Sequence, residues 1–227
     1  LTLCGSTLLI ATNWLVFLFA VQRDEVLQSS LAYFITPLIS TLLGFLFLRE
    51  RLNCWQTLSV LLAIIGVLNL TIQHGQVPWL ALAMAFSFGF YGLLRKLAKV
   101  DATVGLTVET ALLAPFALCY IIFLGTTQQG SFLTGPLRLD LLLPLSGIVT
   151  AIPLLLFVAA ARRLQLTTIG FLQYITPSLH FFCAVALYQE PFSHSQFISF
   201  LFIWAGLAVY TANAVLNSSH RDSPKTR

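Results

Sequence analysis

Glu109, Arg95 and Lys96 are the ionisable residues that so apolar a chain has to account for first. Glu109 follows an apolar start, GLTVETALLAPF, and Arg95-Lys96 close the preceding uncharged run, AFSFGFYGLLRK. A carboxylate about a turn inside a membrane span costs about 2.5 to 3.5 kcal/mol on insertion scales unless it is paired. Glu109 is therefore expected to pair with Arg95 or Lys96. Such a pair either ties two adjacent helices together or serves as a proton or substrate-charge site, and the residues alone leave both readings open.

A second group carries polar or aromatic chemistry inside uncharged runs: Asn13, Trp14 and Tyr91 suit the holding of a small organic molecule by stacking and hydrogen bonds. His180 has no Ser or Asp partner at helical spacing, and His74, His194 and His220 fall in loops or the tail, so no nucleophile with a base is assembled. Cys4, Cys54, Cys119 and Cys183 lack metal-ligand spacing and read as small apolar packing residues without a disulfide framework. No GxxxxGK[ST] loop is present, so nothing points to nucleotide hydrolysis. The expectation is a protein that is not an enzyme, with no metal and no cofactor.

The elements that hold these residues follow from composition. Of 227 residues 58% are hydrophobic and 9% charged, against about 25% charged in soluble domains. About 20 apolar residues span a bilayer as helix, and the uncharged runs fall near 1–22, 27–48, 53–73, 79–97, 105–125, 140–161, 166–189 and 196–216. The reading is an all-α membrane protein with eight transmembrane helices. QHGQVP supplies the turn between the third and fourth, Trp79 is an interfacial anchor, and Ala81, Ala85 and Gly89 form a close-approach face. The net charge of +4 comes from residues at helix ends. Lipid head groups are the expected partner, and no nucleic acid.

By alternate loops, Arg49, Arg51, Arg95, Lys96, Lys99, Arg162, Arg163, Arg221, Lys225 and Arg227 lie on one side, and Arg23 and Arg138 on the other. The positive-inside rule puts both ends of this chain in the cytoplasm. Sliding the chain by 140 positions aligns residues 13–71 with 153–211 without a gap and with about thirteen identities, among them Ile35-Thr36-Pro37 with Ile175-Thr176-Pro177, Glu50 with Glu190 and Gly66 with Gly206. Five helices separate the copies, so the second is inverted, an arrangement common in secondary transporters. The expected organisation is residues 1–73 as three helices of a first repeat, 79–216 as a five-helix second repeat and 217–227 as a cytoplasmic tail. Two helices of a ten-helix, 5+5 whole are then expected to be missing before Leu1.

Pro37 and Pro177 stand mid-span, each freeing a carbonyl four residues earlier, at Tyr33 and Gln173. Backbone groups left open there must face protein or a wet cavity. Ser30, Tyr33, Pro37, Ser40 and Gly44 share one helix face, and Gly170, Gln173, Pro177, His180 and Ala184 occupy the same offsets. Small residues and prolines alone explain close packing. Tyr33, Gln173 and His180 on the same stripes favour a lined cavity.

With Pro-centred spans, Arg49-Glu50-Arg51, and the strings TNWLVFLFAV, SLAYFITPLISTLLGFLFLRERL, AFSFGFYGLLRK, GIVTAIPLLLFVAAARRL and TIGFLQYITPSLHFF, nearly the whole chain resembles the RarD family, within the EamA-type drug/metabolite transporter superfamily. The resemblance implies a multi-pass permease of the bacterial inner membrane that moves small organic solutes or drugs by alternating access. It implies no particular substrate. A homodimer is admissible, and the alternative reading is a non-transporting membrane scaffold or sensor.

Overall fold

The computed structural model describes residues 1–23, 26–73, 75, 77–127, 130, 136–186 and 194–221. Among them stand nine helices and no strand: α1 (Thr2–Gln22), α2 (Val26–Leu48), α3 (Cys54–Gln73), α4 (Trp79–Leu97), α5 (Ala102–Thr126), α6 (Leu137–Arg163), α7 (Leu166–Gln173), α8 (Ile175–Ala186) and α9 (His194–Arg221). Seven of them, all but α7 and α8, are long and apolar enough to cross a membrane. The protein is an all-α membrane protein.

The span expected over 166–189 is divided into α7 and α8 at Tyr174. Pro177 offers no N–H and its ring crowds the carbonyl of Gln173. The backbone tightens there: the Tyr174 N–H donates to the Phe171 carbonyl at 3.1 Å, and the α pattern resumes with Ser178 N–H to the Tyr174 carbonyl at 3.2 Å. Pro37 has no such effect, and α2 runs unbroken through it. The two Ile-Thr-Pro strings thus differ in their effect on the helix that carries them. At the far end, α9 continues to Arg221, into the stretch expected to be tail, because propagating a formed helix needs only one backbone bond per added residue.

Helix starts are set locally. Asn53 Oδ1 accepts from the Gln56 N–H at 2.8 Å while Gln56 Oε1 accepts from the Asn53 N–H at 3.0 Å, a reciprocal cap that satisfies two donors at the head of α3. At the end of α2, Arg49 takes a left-handed backbone (φ 54°), which costs a non-glycine residue about 1–2 kcal/mol. It lets Glu50 turn back, its N–H donating to the Gly44 carbonyl at 3.1 Å.

Two compact units divide the chain, with α1 and α4 shared between them: residues 1–11 with 91–164, and residues 12–90 with 165–227. In the first unit α5 lies beside α6, and Phe116, Tyr120, Leu137 and Leu141 are exposed, as on spans facing lipid. Arg162 pairs with Asp101 at 2.6 Å in an exposed setting, where such a pair adds little. In the second unit α2 packs on α7 and α3 on α9. There the α4 face read from Ala81, Ala85 and Gly89 is buried, with Gly89 against Ile39 and Leu43 of α2. Cys4, Cys54 and Cys119 are free and exposed rather than packed as expected. Cys183 lies outside the described side chains.

Candidate functional site

In the first unit the buried charges form one cluster. Glu109 of α5 is 1% exposed and Arg95 of α4 is 0% exposed, with Arg95 Nε 3.5 Å from Glu109 Oε1. Ser6 of α1 donates its hydroxyl to the same oxygen at 2.5 Å, and the Tyr91 hydroxyl donates to Oε2 at 3.3 Å. Arg95 Nη2 donates to the Ala102 carbonyl at 3.2 Å, across the turn into α5. The guanidinium lies flat on Gly105, where a Cβ would stand 1.9 Å from Nη1. Gly105 is thus what admits an arginine to this depth.

Of the two cations expected to compete for Glu109, Arg95 is the partner. Lys96 is one residue further round the helix, and its Nζ donates to the carbonyls of Ala161, at 3.2 Å, and Leu164. Those carbonyls end α6, where unpaired acceptors and the helix dipole favour a cation. Tyr91, expected among solute-facing residues, is fully buried in the charge cluster and stacks on Phe157. Ser6 and Gly105 were not singled out from the sequence. A serine in an apolar run carries no positional signal until the helix opposite is known.

In the second unit the two proline stripes meet. A Cβ on Gly170 would lie 2.6 Å from the Pro37 carbonyl oxygen and 2.7 Å from Thr41 Oγ1, and one on Gly44 would lie 3.3 Å from Leu166 Cβ. Ser40 donates to Gln173 Oε1 at 3.4 Å. Higher positions on α2 meet lower positions on α7, so the helices run antiparallel. Pro37 and Pro177 are buried, Gln173 is half-buried and Tyr33 is 41% exposed. The side chain of His180 lies outside the described residues.

Asn13 donates through Nδ2 to the Met84 carbonyl at 2.9 Å and to Ser87 Oγ at 3.2 Å, tying α1 to α4. Trp14 beside it is 40% exposed. Tyr174, at the break between α7 and α8, is 1% exposed, and its hydroxyl has no hydrogen-bond partner among the described residues. It is the residue of the YITP string that the stripe reading passed over, because it falls beside the stripe and not on it.

The α3–α9 contact repeats itself. A Cβ on Gly66 would lie 2.7 Å from the Ser199 carbonyl oxygen, and one on Gly206 2.8 Å from that of Ser59. Gly66 and Gly206 are 140 positions apart, and so are Ser59 and Ser199. Asn69 donates to Ser199 Oγ at 2.7 Å, and Asn53 to Asn213 Oδ1 at 3.1 Å. Elsewhere in this unit a cavity of about 580 Å³ opens between α2, α3 and the start of α4, lined by Leu38, Ile64, Val67, Leu68, Ile72 and Leu82 among others. Its one hydroxyl, on Thr71, is already given to the Val67 carbonyl at 2.8 Å. None of the stripe residues expected to touch solute lines it.

The described residues thus present a bundle of membrane helices with one span interrupted at a proline and one buried charge pair. The chain belongs to the EamA-like transporter family, whose sequence profile matches residues 1–72 and 77–212. It is 45% identical over 210 residues to an uncharacterised transporter of Vibrio cholerae, covering 92% of this chain and 70% of that one. It is likewise 45% identical to protein RarD of Escherichia coli (94% and 72% covered) and 43% identical to the uncharacterised transporter YojE of Bacillus subtilis (95% and 72%). A solved crystal structure superposes with a TM-score of 0.68 at 21% identity, covering 97% of this chain and 78% of the other. That likeness bears on the fold alone. The resemblance to RarD drawn from the sequence is borne out. The protein is a multi-pass membrane transporter of the drug/metabolite superfamily.

Proposed function

We propose that the chain forms part of a secondary carrier that moves small organic solutes or drugs by alternating access, one repeat rocking against the other. The observation that carries this reading is the reciprocal pair Gly66–Ser199 and Gly206–Ser59. Equivalent residues of two copies meet each other in the same way, as two inverted repeats related by a two-fold axis in the membrane plane would. Copies joined by such an axis can exchange their conformations, giving two packings of similar energy, which is the physical requirement for access from either side.

On this reading residues 1–73 and 79–216 belong to different repeats. Tyr33, Pro37, Gln173, Pro177 and His180, with Asn13 and Trp14, lie along the solute pathway. The break at Tyr174 supports this, because irregular backbone at membrane depth is tolerated where it lines a cavity or is buried in protein. Glu109 and Arg95 act as the charge pair of the carrier, with Tyr91 as their hydrogen-bond partner and Lys96 as a helix cap. The excess of Lys and Arg on one side favours a bacterial inner membrane with both ends of this chain cytoplasmic. A relative from Pseudomonas aeruginosa, 34% identical, is named chloramphenicol-sensitive protein RarD, which makes amphipathic aromatic drugs reasonable first probes.

The test is metabolite profiling of cells with and without the intact protein, followed by solute flux in proteoliposomes. Saturable flux that falls severalfold in Tyr33→Ala and Gln173→Ala is expected. Flux that never saturates, or that both variants leave unchanged, overturns the reading.

A further inference from the structure

The contact that the mechanism leaves unexplained is made by Glu50. This carboxylate stands just past the end of α2 and reaches the first turn of α7: Oε1 accepts from the Leu166 N–H at 2.7 Å, and Oε2 accepts from the Thr167 N–H at 3.0 Å and the Thr167 hydroxyl at 2.8 Å. Gln165, at the start of α7, makes no side-chain cap of its own. The helix therefore draws its N-terminal acceptor from a residue 116 positions away. Charge-assisted hydrogen bonds of this kind are the strong ones, and the carboxylate also sits at the positive end of the helix dipole.

Three features of the chain shape this contact. Arg49 adopts its left-handed backbone so that Glu50 can turn back. Gly44 leaves room for the carboxylate, since a Cβ there would lie 2.6 Å from Glu50 Oε2. The segment held is short, only Leu166–Gln173, and the α pattern is interrupted between it and α8 at the single residue Tyr174. A half-helix tied at its head by a distant carboxylate and joined at its tail through a lost α-type hydrogen bond has a hinge about which it can swing off α2 when the carboxylate lets go.

We propose that Glu50 is the latch of a gate, holding the α7 half-helix closed over α2 at the Glu50 end of the protein and releasing it when that side opens. The inference rests on the carrier reading above. Opening breaks the three hydrogen bonds to Glu50 and separates Gly170 from the Pro37 carbonyl and Thr41, so the stripe between α2 and α7 becomes wet from the Glu50 side.

The test uses the intact protein with its native cysteines replaced, carrying either of two single reporters and probed with a membrane-impermeant maleimide from each face. Thr41→Cys sits under α7, where Thr41 is 4% exposed, and Ser30→Cys sits exposed at the opposite end of α2. Glu50→Ala is expected to raise Thr41→Cys labelling from the Glu50 side about tenfold and to lower Ser30→Cys labelling from the other side by a similar factor, as a shift between two access states demands. Glu50→Gln, which keeps the shape and one acceptor oxygen, falls between wild type and Glu50→Ala and serves if the alanine variant does not fold. A rise at Thr41→Cys without a fall at Ser30→Cys makes Glu50 a plain helix cap and overturns the latch, as does no change at either reporter. Reporters that trade accessibility in the wild type yet ignore Glu50→Ala defeat the latch alone. Reporters that never trade, with or without solute, defeat the carrier reading with it.

Discussion

Gly66 and Gly206 each lie against a backbone carbonyl of the opposite helix, at Ser199 and Ser59, with hypothetical Cβ distances of 2.7 and 2.8 Å. The near-equality is what the proposed two-fold relation between repeats would produce. The nearest atom in each case is backbone, which cannot step aside as a side-chain end can, and at Gly66 the Ile203 Cγ1 adds a second obstruction at 2.8 Å. Gly66→Ala and Gly206→Ala should each force α3 and α9 apart and cost about 1–3 kcal/mol, the usual penalty of overpacking. Thermal unfolding of the intact protein in detergent should show similar losses for both. Gly147→Ala, with nothing within 4 Å, should be neutral or slightly stabilising, since alanine is a better helix former by about 1 kcal/mol.

The buried ion pair makes a sharper demand. Glu109→Gln or Arg95→Gln leaves the other charge enclosed by protein, and breaking such a pair from one side costs about 3–5 kcal/mol. Arg95→Met with Glu109→Leu removes both charges and should recover much of that loss. Gly105→Ala should resemble the arginine variants, because its methyl group occupies the place of the guanidinium. The yield of monodisperse protein and its unfolding midpoint give the order; a double variant worse than either single would contradict it.

Tyr174 separates stability from function. Its hydroxyl is buried and has no hydrogen-bond partner among the described residues, so removing it relieves a desolvation cost of about 1–3 kcal/mol. Tyr174→Phe should leave the unfolding midpoint unchanged or raised, while solute flux falls if the hydroxyl meets solute. A clear loss of stability would show that the hydroxyl has a partner in the folded protein.

Pro177→Ala restores an N–H at the break and lets it donate to the Gln173 carbonyl. Hydrogen exchange should slow across residues 173–178, joining α7 to α8, and solute flux should fall as the half-helix loses its pivot. Pro37→Ala, inside a helix already continuous, should change exchange far less.

Much of this molecule was legible in the chain. Apolar runs of about 20 residues marked the seven helices long enough to cross a bilayer, because an α-helix satisfies its own backbone groups in lipid. A carboxylate inside a span demanded a cation, and Glu109 has one in Arg95. What remained hidden were relations between helices, such as Ser6 on Glu109, Gly105 beneath Arg95 and Glu50 on the head of α7. Tertiary packing also decided between Arg95 and Lys96, since a step of one residue turns a side chain about 100° around its helix. It decided between Pro37 and Pro177 as well. The same residue in the same Ile-Thr-Pro string leaves one helix continuous and interrupts the other, because a proline only removes one backbone hydrogen bond and the surrounding packing decides how the chain responds.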